Sequence, residues 1–315
     1  MKYNRHLRAL LSVVALASPH AASIESGLDA HHRGDHARAA EQWQPLAETG
    51  DADAQFLLGT LYDTGQGRPE DPAVAADWYR LAADQGHRDA QFNLAAMYHQ
   101  GRGVERDLQQ AALWFRHAAE QGDATAQYNL ALMLEAGDGI PRDRDEAFRW
   151  MHRAGELGEP DAQHHLGWLY TTTQGPTPNF SKAAEWYRRA AEQEHADAQF
   201  ELAMLYQRGL GVKRDARQAF RWFSEAARHQ HAGAKTALGV AYENGYGIER
   251  DTEKAVRWYL LAAKQGDRNA QFLVAGIYEH GTGVRRDIRE ARHWYQQAAN
   301  QGHEEAFRRL HRLPD

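Results

Sequence analysis

Tryptophan recurs along the chain at one fixed interval, and this interval constrains the fold more than any other feature of the sequence. The tryptophans of this column are each separated by 36 residues: Trp78, Trp114, Trp150, Trp186, Trp222, Trp258 and Trp294. An alanine column from Ala54 to Ala306 keeps the same period. Such a period is typical of a unit stacked on copies of itself, because one unit cannot bury its own apolar face. We interpret the seven tryptophans as structural positions, at least partly buried between helices.

Within one unit the apolar residues follow the period of a helix. Ala90, Leu94, Met97 and Tyr98 share one helical face, whereas a strand would require strict alternation. We name this segment helix A. A second apolar face around Trp114 indicates a helix B, whose alanines permit close packing. Because the turns between them are short, neighbouring helices must be antiparallel. The sequence therefore predicts an all-α fold, a right-handed α-solenoid of antiparallel helix pairs.

Glycine and aspartate mark the ends of the predicted helices. Gly101 stands where a left-handed residue would end helix A. Asp107 precedes helix B and is followed three residues later by Gln110, which is the spacing of a capping box. Glu194 and Gln230 replace the glycine expected at the end of helix B, and this replacement predicts less sharp turns there.

The repeated residues resemble those of a known family. The run AQFNLAAMYHQGRGV followed by AALWFRHAAEQG closely resembles the Sel-1-like repeat, a relative of the tetratricopeptide repeat. The resemblance covers seven repeats at residues 51–86, 87–122, 123–158, 159–194, 195–230, 231–266 and 267–302. We interpret residues 23–50 as N-terminal capping helices and residues 303–315 as a C-terminal capping helix, because the ends of an array need a polar outer side.

The first 22 residues differ in character from the repeats. Lys2, Arg5 and Arg8 precede an apolar run from Ala9 to Ala17, and small residues follow. This is the pattern of a secretory signal peptide; the alternative is the frayed amphipathic start of a cytosolic protein. The chain contains no cysteine, which excludes disulfides and a lipid anchor. We expect a periplasmic or secreted protein with no membrane anchor after cleavage of the signal.

The charge and the motifs limit the classes of function. The formal net charge is −6, and loss of the basic leader would bring it to about −9, which argues against nucleic acid as a partner. The sequence has no HExxH, GxSxG or P-loop motif. His31, His32 and His36 lack a defined ligand spacing, and we interpret them as solvent-facing cap residues. We therefore expect no catalytic residues, no cofactor and no metal.

Helix A supplies the candidate binding residues. The resemblance to tetratricopeptide arrays implies that helix A lines a concave groove, and seven large side chains fall there by register: Phe92, Tyr128, Leu132, His164, Trp168, Phe200 and Met204. One interpretation is that these side chains pack against the adjoining repeat. The other is a groove for a peptide or a helix, with aromatic anchors. Trp168 has no tryptophan counterpart in the other repeats and is the strongest single candidate.

The fourth repeat also departs from the pattern in the turn that follows Trp168. Thr173 stands in place of the usual glycine, and Pro176 and Pro178 stiffen the segment. The turn is either a tolerated surface variation or a shaped recognition loop.

Two classes of function remain. The resemblance implies a non-enzymatic scaffold, adaptor or regulator of the bacterial envelope, since such proteins assemble complexes, tune signalling or contact host factors. The alternative is a hydrolase acting on cell-wall or antibiotic substrates, an activity of some cysteine-rich relatives, or a glycan-binding module. A repeated surface without a unique acid, base or nucleophile favours the scaffold. We expect a protein or peptide partner, whose identity the sequence does not specify.

Overall fold

The computed structural model describes residues 19–172 and 178–314, in which every regular element is an α-helix. The chain divides into two compact units, Met1–Leu157 and Gly158–Asp315. The described helices of the first unit are α1 (Pro19–His32), α2 (His36–Glu48), α3 (Ala52–Thr64), α4 (Pro72–Asp84), α5 (Arg88–Gln100), α6 (Leu108–Glu120), α7 (Ala124–Ala136) and α8 (Arg144–Glu156). Those of the second are α9 (Pro160–Thr172), α10 (Phe180–Glu192), α11 (Ala196–Arg208), α12 (Ala216–Arg228), α13 (Ala232–Asn244), α14 (Thr252–Lys264), α15 (Arg268–His280), α16 (Ile288–Asn300) and α17 (Glu304–Leu310). The predicted all-α fold is confirmed, and most of the predicted leader lies outside the described residues.

Helices that are consecutive in the chain pack against each other within each unit. Helix A of the second repeat, α5, packs on its helix B, α6, which in turn packs on α7 of the next repeat. The connection from α6 to α7 is short, because α6 ends at Glu120 and α7 begins at Ala124. A turn of this length leaves two packed helices no arrangement other than antiparallel. The predicted helix pairs are therefore present in both units.

In each repeat a large side chain of helix B is buried next to the tryptophan column. The residues that follow the column tryptophans are at most 2% exposed: Tyr79, Phe115, Met151, Tyr187, Phe223, Tyr259 and Tyr295. The tryptophans themselves are less deeply placed, since Trp150 and Trp186 are buried and the other five are half-buried. The residue after the tryptophan is thus the deeper anchor of helix B.

These anchors fit against small residues of helix A. Gly239 lies so close to Tyr259 that a Cβ atom there would be 2.4 Å from the ring. Gly59 faces Tyr79 and Gly167 faces Tyr187 in the same way. Where the anchor lacks a phenol, at Phe115, Met151 and Phe223, the register position on helix A carries an alanine: Ala95, Ala131 and Ala203. The volumes of the two positions are therefore matched in six of the seven repeats, while the seventh combines Tyr295 with Ala275.

Within each unit, buried glutamines connect successive repeats, and we call them the glutamine ladder. Its members are at most 5% exposed: Gln55, Gln91, Gln127, Gln163, Gln199 and Gln271. Nε2 of Gln91 donates to the carbonyl oxygen of Ala83 at 3.1 Å, and Oε1 of Gln91 accepts from Nε2 of Gln121 at 2.7 Å. Nε2 of Gln121 also donates to the carbonyl oxygen of Gly86 at 3.0 Å. The ladder therefore satisfies carbonyl groups at helix ends that would otherwise lack donors.

A hydrogen-bonded pair such as Gln91 and Gln121 forms one rung of the ladder, and two rungs are incomplete. Oε1 of Gln127 and Oε1 of Gln199 are buried without a hydrogen-bond partner. The register position of Gln121 is occupied by Leu157 in one case and by His229 in the other. Neither replacement offers the amide N–H that completes the rung elsewhere. An unsatisfied buried acceptor of this kind lowers the stability of the fold.

The sixth repeat rebuilds the rung with a different pair of residues. Lys235 stands in the glutamine column, and its Nζ donates to Oε1 of Gln230 at 2.6 Å. Gln230 has a φ of 65° and Glu194 a φ of 64°. The expectation of less sharp turns at these two positions is wrong, because both residues keep the left-handed conformation of the glycines they replace. This conformation costs a non-glycine residue about 1 to 2 kcal/mol. At Gln230 the hydrogen bond from Lys235 offsets part of this cost.

The turn from helix A to helix B caps helix B and sets the spacing of the repeats. Oδ1 of Asp107 accepts from the backbone N–H of Gln110 at 3.0 Å, as predicted. The reciprocal half of the predicted capping box is wrong, because the N–H of Asp107 donates to the carbonyl oxygen of Tyr98 at 3.0 Å. In the same turn Gly103 approaches the preceding repeat so closely that a Cβ atom would lie 2.1 Å from the carbonyl oxygen of Pro72.

The matched volumes predict opposite effects of the same substitution at two helical glycines. Gly239→Ala should destabilise the protein by about 1 to 3 kcal/mol, because the added methyl group would overpack the ring of Tyr259. Gly276→Ala in α15 is the control, since the nearest atom there is the hydroxyl oxygen of Tyr295 at 3.7 Å. Alanine should stabilise that helix by up to about 1 kcal/mol. Urea denaturation measures both changes, and equal effects would contradict the volume matching.

The incomplete rung at Gln127 predicts a stabilising substitution. Leu157→Gln should raise the free energy of unfolding by about 0.5 to 1.5 kcal/mol, because the new amide donates to Oε1 of Gln127. Leu157 is 58% exposed, so little apolar burial is lost. Glu120→Gln, at an exposed position of α6, is the control and should change the free energy by less than about 0.5 kcal/mol. A Leu157→Gln variant no more stable than this control would show that the orphaned oxygen has no cost.

Candidate interaction surface

The first unit contains three of the seven predicted binding residues. Phe92 of α5 is buried, with its ring centroid 5.7 Å from that of Phe115. Tyr128 and Leu132 of α7 are half-buried. Leu132 also lines a cavity of about 400 Å³ between α5 and α7. Phe92 thus belongs mainly to the core, whereas Tyr128 and Leu132 keep accessible atoms.

The second unit contains the other four, on α9 and α11. His164, Phe200 and Met204 are half-buried, and Trp168 is 47% exposed. The ring of His164 stacks on His195 with centroids 4.7 Å apart, and the ring of Phe200 stacks on His231 at 4.4 Å. These two rings therefore pack against the start of the next repeat. Of these four side chains, Trp168 is the one that exposes a large ring to solvent.

Local contacts hold Trp168 at the end of α9. The imidazole of His165 meets the indole edge to face, with centroids 5.4 Å apart. The hydroxyl groups of Thr171 and Thr172 donate to the carbonyl oxygen of Trp168 at 2.7 and 2.9 Å, which secures the last turn of the helix. Residues 173–177 of the irregular turn lie outside the described residues, so the recognition loop stays a prediction.

Histidines at the start of helix A form a feature that the sequence analysis missed. They cap their helices at His87, His195, His231 and His303. Nδ1 of His195 accepts from the N–H of Ala198 at 3.2 Å, so Nε2 carries the proton and donates to Oδ1 of Asp161 at 3.1 Å. Their capping role could have been predicted, because these histidines stand at the same register as the capping aspartates Asp51, Asp123 and Asp267.

Burial controls the charge of the imidazoles on this surface. Burial is the main reason that the pKa of His164 is lowered to about 4, and the adjacent His195 lowers it further. Burial also lowers the pKa of His231 and raises the pKa of the Glu201 carboxyl group. The imidazoles of His164 and His231 are therefore neutral at neutral pH, and acid conditions would protonate the unfolded chain before the folded one.

The lowered pKa of His164 predicts a loss of stability in acid. The unfolded chain takes up a proton near its ordinary pKa of about 6.5, while the folded chain does so only near 4, so the free energy of unfolding falls as the pH drops between these values. Phenylalanine stands at this register in the next repeat, at Phe200, and in the second repeat, at Phe92. His164→Phe should therefore remove about 1 to 2 kcal/mol of the loss between about pH 7 and pH 5.

Urea denaturation at several pH values measures this difference. His117→Phe, at an exposed position of α6, is the control and should keep the pH dependence of the wild type. An unchanged pH dependence in His164→Phe would contradict the assignment to His164.

The described residues show neither a metal cluster nor a membrane-spanning helix. Within residues 19–172 and 178–314, no group of three or more His, Asp or Glu side chains is arranged to hold a metal ion. The Nδ1 atoms of His31 and His36 lie 3.0 Å apart. Of the three histidines expected to face solvent, His32 is exposed and the other two are half-buried. No helix in the same ranges is long and apolar enough to cross a membrane.

Known proteins share the repeat and the fold. The family model of the Sel1 repeat matches residues 52–87, 88–123, 124–159, 160–195, 196–231, 232–267 and 268–303. These segments begin one residue later than the repeats defined from the sequence. No curated protein matches the chain.

Two solved structures resemble the chain over most of its length. The first is c5321, a protective antigen of uropathogenic Escherichia coli with an SLR fold, which is 34% identical with a TM-score of 0.85 over 92% of this chain. This chain spans 63% of the length of that antigen. The second is a Sel1 repeat protein from Oxalobacter formigenes, 31% identical with a TM-score of 0.67, covering 76% of this chain and 96% of that one. The chain therefore belongs to the Sel1 repeat family, with seven repeats.

Proposed function

We propose that this chain is a non-enzymatic scaffold, adaptor or regulator of the bacterial envelope, and that it binds a protein or peptide on the exposed side of its A helices. Repeat arrays present extended rows of equivalent positions, and such rows are the usual binding surfaces of these folds. The observation that carries the proposal is Trp168, a large aromatic side chain that is 47% exposed.

The register of Trp168 supports its role as an anchor. The other repeats carry smaller side chains there: Thr60, Ala96, Leu132, Met204, Val240 and Gly276. Packing within the repeat therefore does not require an indole at this position. Tryptophan is enriched among the few residues that supply most of the binding energy of an interface. An exposed tryptophan that the fold does not need is best explained by a partner.

The envelope assignment rests on two supports. One is the predicted leader at residues 1–22, and the other is the similarity to an E. coli protein described as a protective antigen. We propose a periplasmic or secreted location on these grounds. A glycan partner is the second candidate, because an exposed indole also stacks on sugar rings; a hydrolase has less support, since no catalytic motif accompanies the indole.

Photo-crosslinking in intact cells tests the proposal. We expect a crosslinkable amino acid at position 168 to capture a discrete protein, whereas the same amino acid at Leu261 of α14 should not. Leu261 is a matched control because it is 48% exposed, nearly the same as Trp168. Adducts that are equal at both positions would contradict a specific surface, and adducts that contain only glycan would favour the second candidate.

The purified partner then permits an affinity measurement. Trp168→Ala should weaken binding roughly thirtyfold, about 2 kcal/mol, while the melting temperature changes little because the indole is half exposed. Leu261→Ala should leave the affinity unchanged. A large loss of melting temperature in Trp168→Ala with unchanged affinity of the folded protein would return Trp168 to a structural role and contradict the proposal.

A further inference from the structure

Two histidines converge where α1 turns into α2. His31 lies in the last turn of α1, and His36 is the first residue of α2. Their Nδ1 atoms are 3.0 Å apart, and their ring centroids are 4.6 Å apart. A neutral imidazole carries its proton on one of its two nitrogens, so one Nδ1 donates a hydrogen bond and the other accepts it. Both Nδ1 atoms are therefore directed at one point between the rings.

A buried tryptophan supports this pair from below. Trp43 is 1% exposed, and its ring centroid lies 5.9 Å from that of His31. Nε1 of Trp43 donates to the carbonyl oxygen of Ile24 in α1 at 3.3 Å. Gly27 permits this contact, because a Cβ atom there would lie 2.2 Å from the indole nitrogen. The packing of α1 on α2 therefore holds the imidazoles in place before any ligand binds, as a preformed site requires.

The fold does not require an imidazole at position 36. Later B helices begin with residues of every size and polarity: Pro72, Leu108, Arg144, Phe180, Ala216, Thr252 and Ile288. The start of α2 is capped by Asp35, whose Oδ1 accepts from the backbone N–H of Arg38 at 3.2 Å. His36 is therefore needed neither for packing nor for capping, and its contact with His31 calls for another explanation.

The separation of the two nitrogens suits a transition-metal ion. Metal–imidazole bonds are about 2.0 to 2.1 Å long, so an ion bound to both Nδ1 atoms would subtend an angle of about 95°. This is close to the right angle between neighbouring ligands in the tetragonal sites of Cu²⁺, whereas tetrahedral Zn²⁺ needs a wider separation. The ring that donates the hydrogen bond only has to move its proton to Nε2 to free the second lone pair.

A cation can reach the pair from solvent. His31 and His36 are half-buried, so both rings keep accessible atoms. Residues 19–50 carry five acidic and two basic side chains, not counting histidine, and this excess attracts cations. Within residues 19–172 and 178–314 no third His, Asp or Glu side chain is arranged to join the pair. Water would therefore fill the remaining positions, and the ion would stay exchangeable.

We propose that His31 and His36 bind a Cu²⁺ ion through their Nδ1 atoms, and that this ion links α1 to α2. The spacing of the two histidines in the sequence did not indicate the site, because the turn between the helices is what brings them together. The site does not depend on the scaffold function proposed above, since it belongs to the first unit and Trp168 to the second.

Titration of the full chain with CuCl₂ tests the site, with calorimetry for the affinity and electron paramagnetic resonance for the ligands. We expect one ion to bind at the tightest site, with a spectrum that shows splitting by two imidazole nitrogens. ZnCl₂ in the same titration should bind roughly tenfold more weakly, because of both the narrow angle and the general preference of nitrogen ligands for Cu²⁺.

Three variants locate the ion. His31→Phe and His36→Phe keep an aromatic ring in place and leave a single imidazole, so each should weaken Cu²⁺ binding about tenfold or more through loss of chelation. His32→Phe is the matched control, because His32 is an exposed neighbour of the pair, and it should leave the Kd unchanged. Melting without metal shows whether each variant folds, and the spectrum of the wild-type protein decides the ligand set even if one variant does not.

Hydrogen exchange tests the link between the helices. Cu²⁺ should slow the exchange of the backbone amides of α1 in the wild-type protein, because opening of α1 would break a metal bond. It should have no such effect in His36→Phe. Exchange in α17, which is far along the chain, serves as the internal reference.

Four results would overturn the proposal. These are a spectrum without two imidazole nitrogens, Zn²⁺ binding as tight as that of Cu²⁺, equal losses of affinity in all three variants, and exchange of α1 that does not respond to Cu²⁺. None of them bears on Trp168, so failure of this site and failure of the scaffold proposal are distinguishable.

Discussion

The close fit between a large residue of helix B and a small residue of helix A is the contact on which the other features depend. It sets the distance between the two helices of a repeat, as at Tyr259 and Gly239. That distance in turn aligns the glutamine ladder and the turn at Gly103, both of which join one repeat to the next. Because each repeat of an array contacts mainly its neighbours, the fold repeats this local fit and does not need one large core.

The same fit leaves one register position of helix A free to vary. Contacts with the helix B anchors and stacks on the capping histidines hold one register position of helix A, as at Phe92 and Phe200. The register column that contains Leu132 and Trp168 is less constrained and varies from glycine to tryptophan. In the first unit this column borders a cavity, and in the second it presents an indole. Variation at one position per repeat therefore changes the surface without disturbing the helix pairs.

The helix pairs were predictable because the buried apolar residues recur with a helical spacing inside a 36-residue repeat, and both periods can be read from the sequence. The sequence did not predict which of two neighbouring apolar residues is buried more deeply. Trp114 and Phe115 follow the same 36-residue period, and only the packing in the structure shows that Phe115 is the more deeply buried. Whether His164 faces solvent or the next repeat depends on the ring of His195, a contact across repeats. The cavity beside Leu132 also escaped prediction, because residues of α5, α6, α7 and the turn after α7 line it together.

The pairing of Lys235 with Gln230 has a consequence for how such an array can evolve. Gln230 ends one repeat and Lys235 lies in the next, so the pair straddles a repeat boundary. A gene duplication that copied the fifth repeat alone would place Gln230 before a glutamine of the ordinary column, where its strained backbone conformation would no longer be matched by a lysine. Glu194 keeps the same conformation before Gln199 without a lysine, so a copied fifth repeat would keep its backbone and lose only the contact. The unit that recombination can exchange without losing this contact is a pair of adjacent repeats.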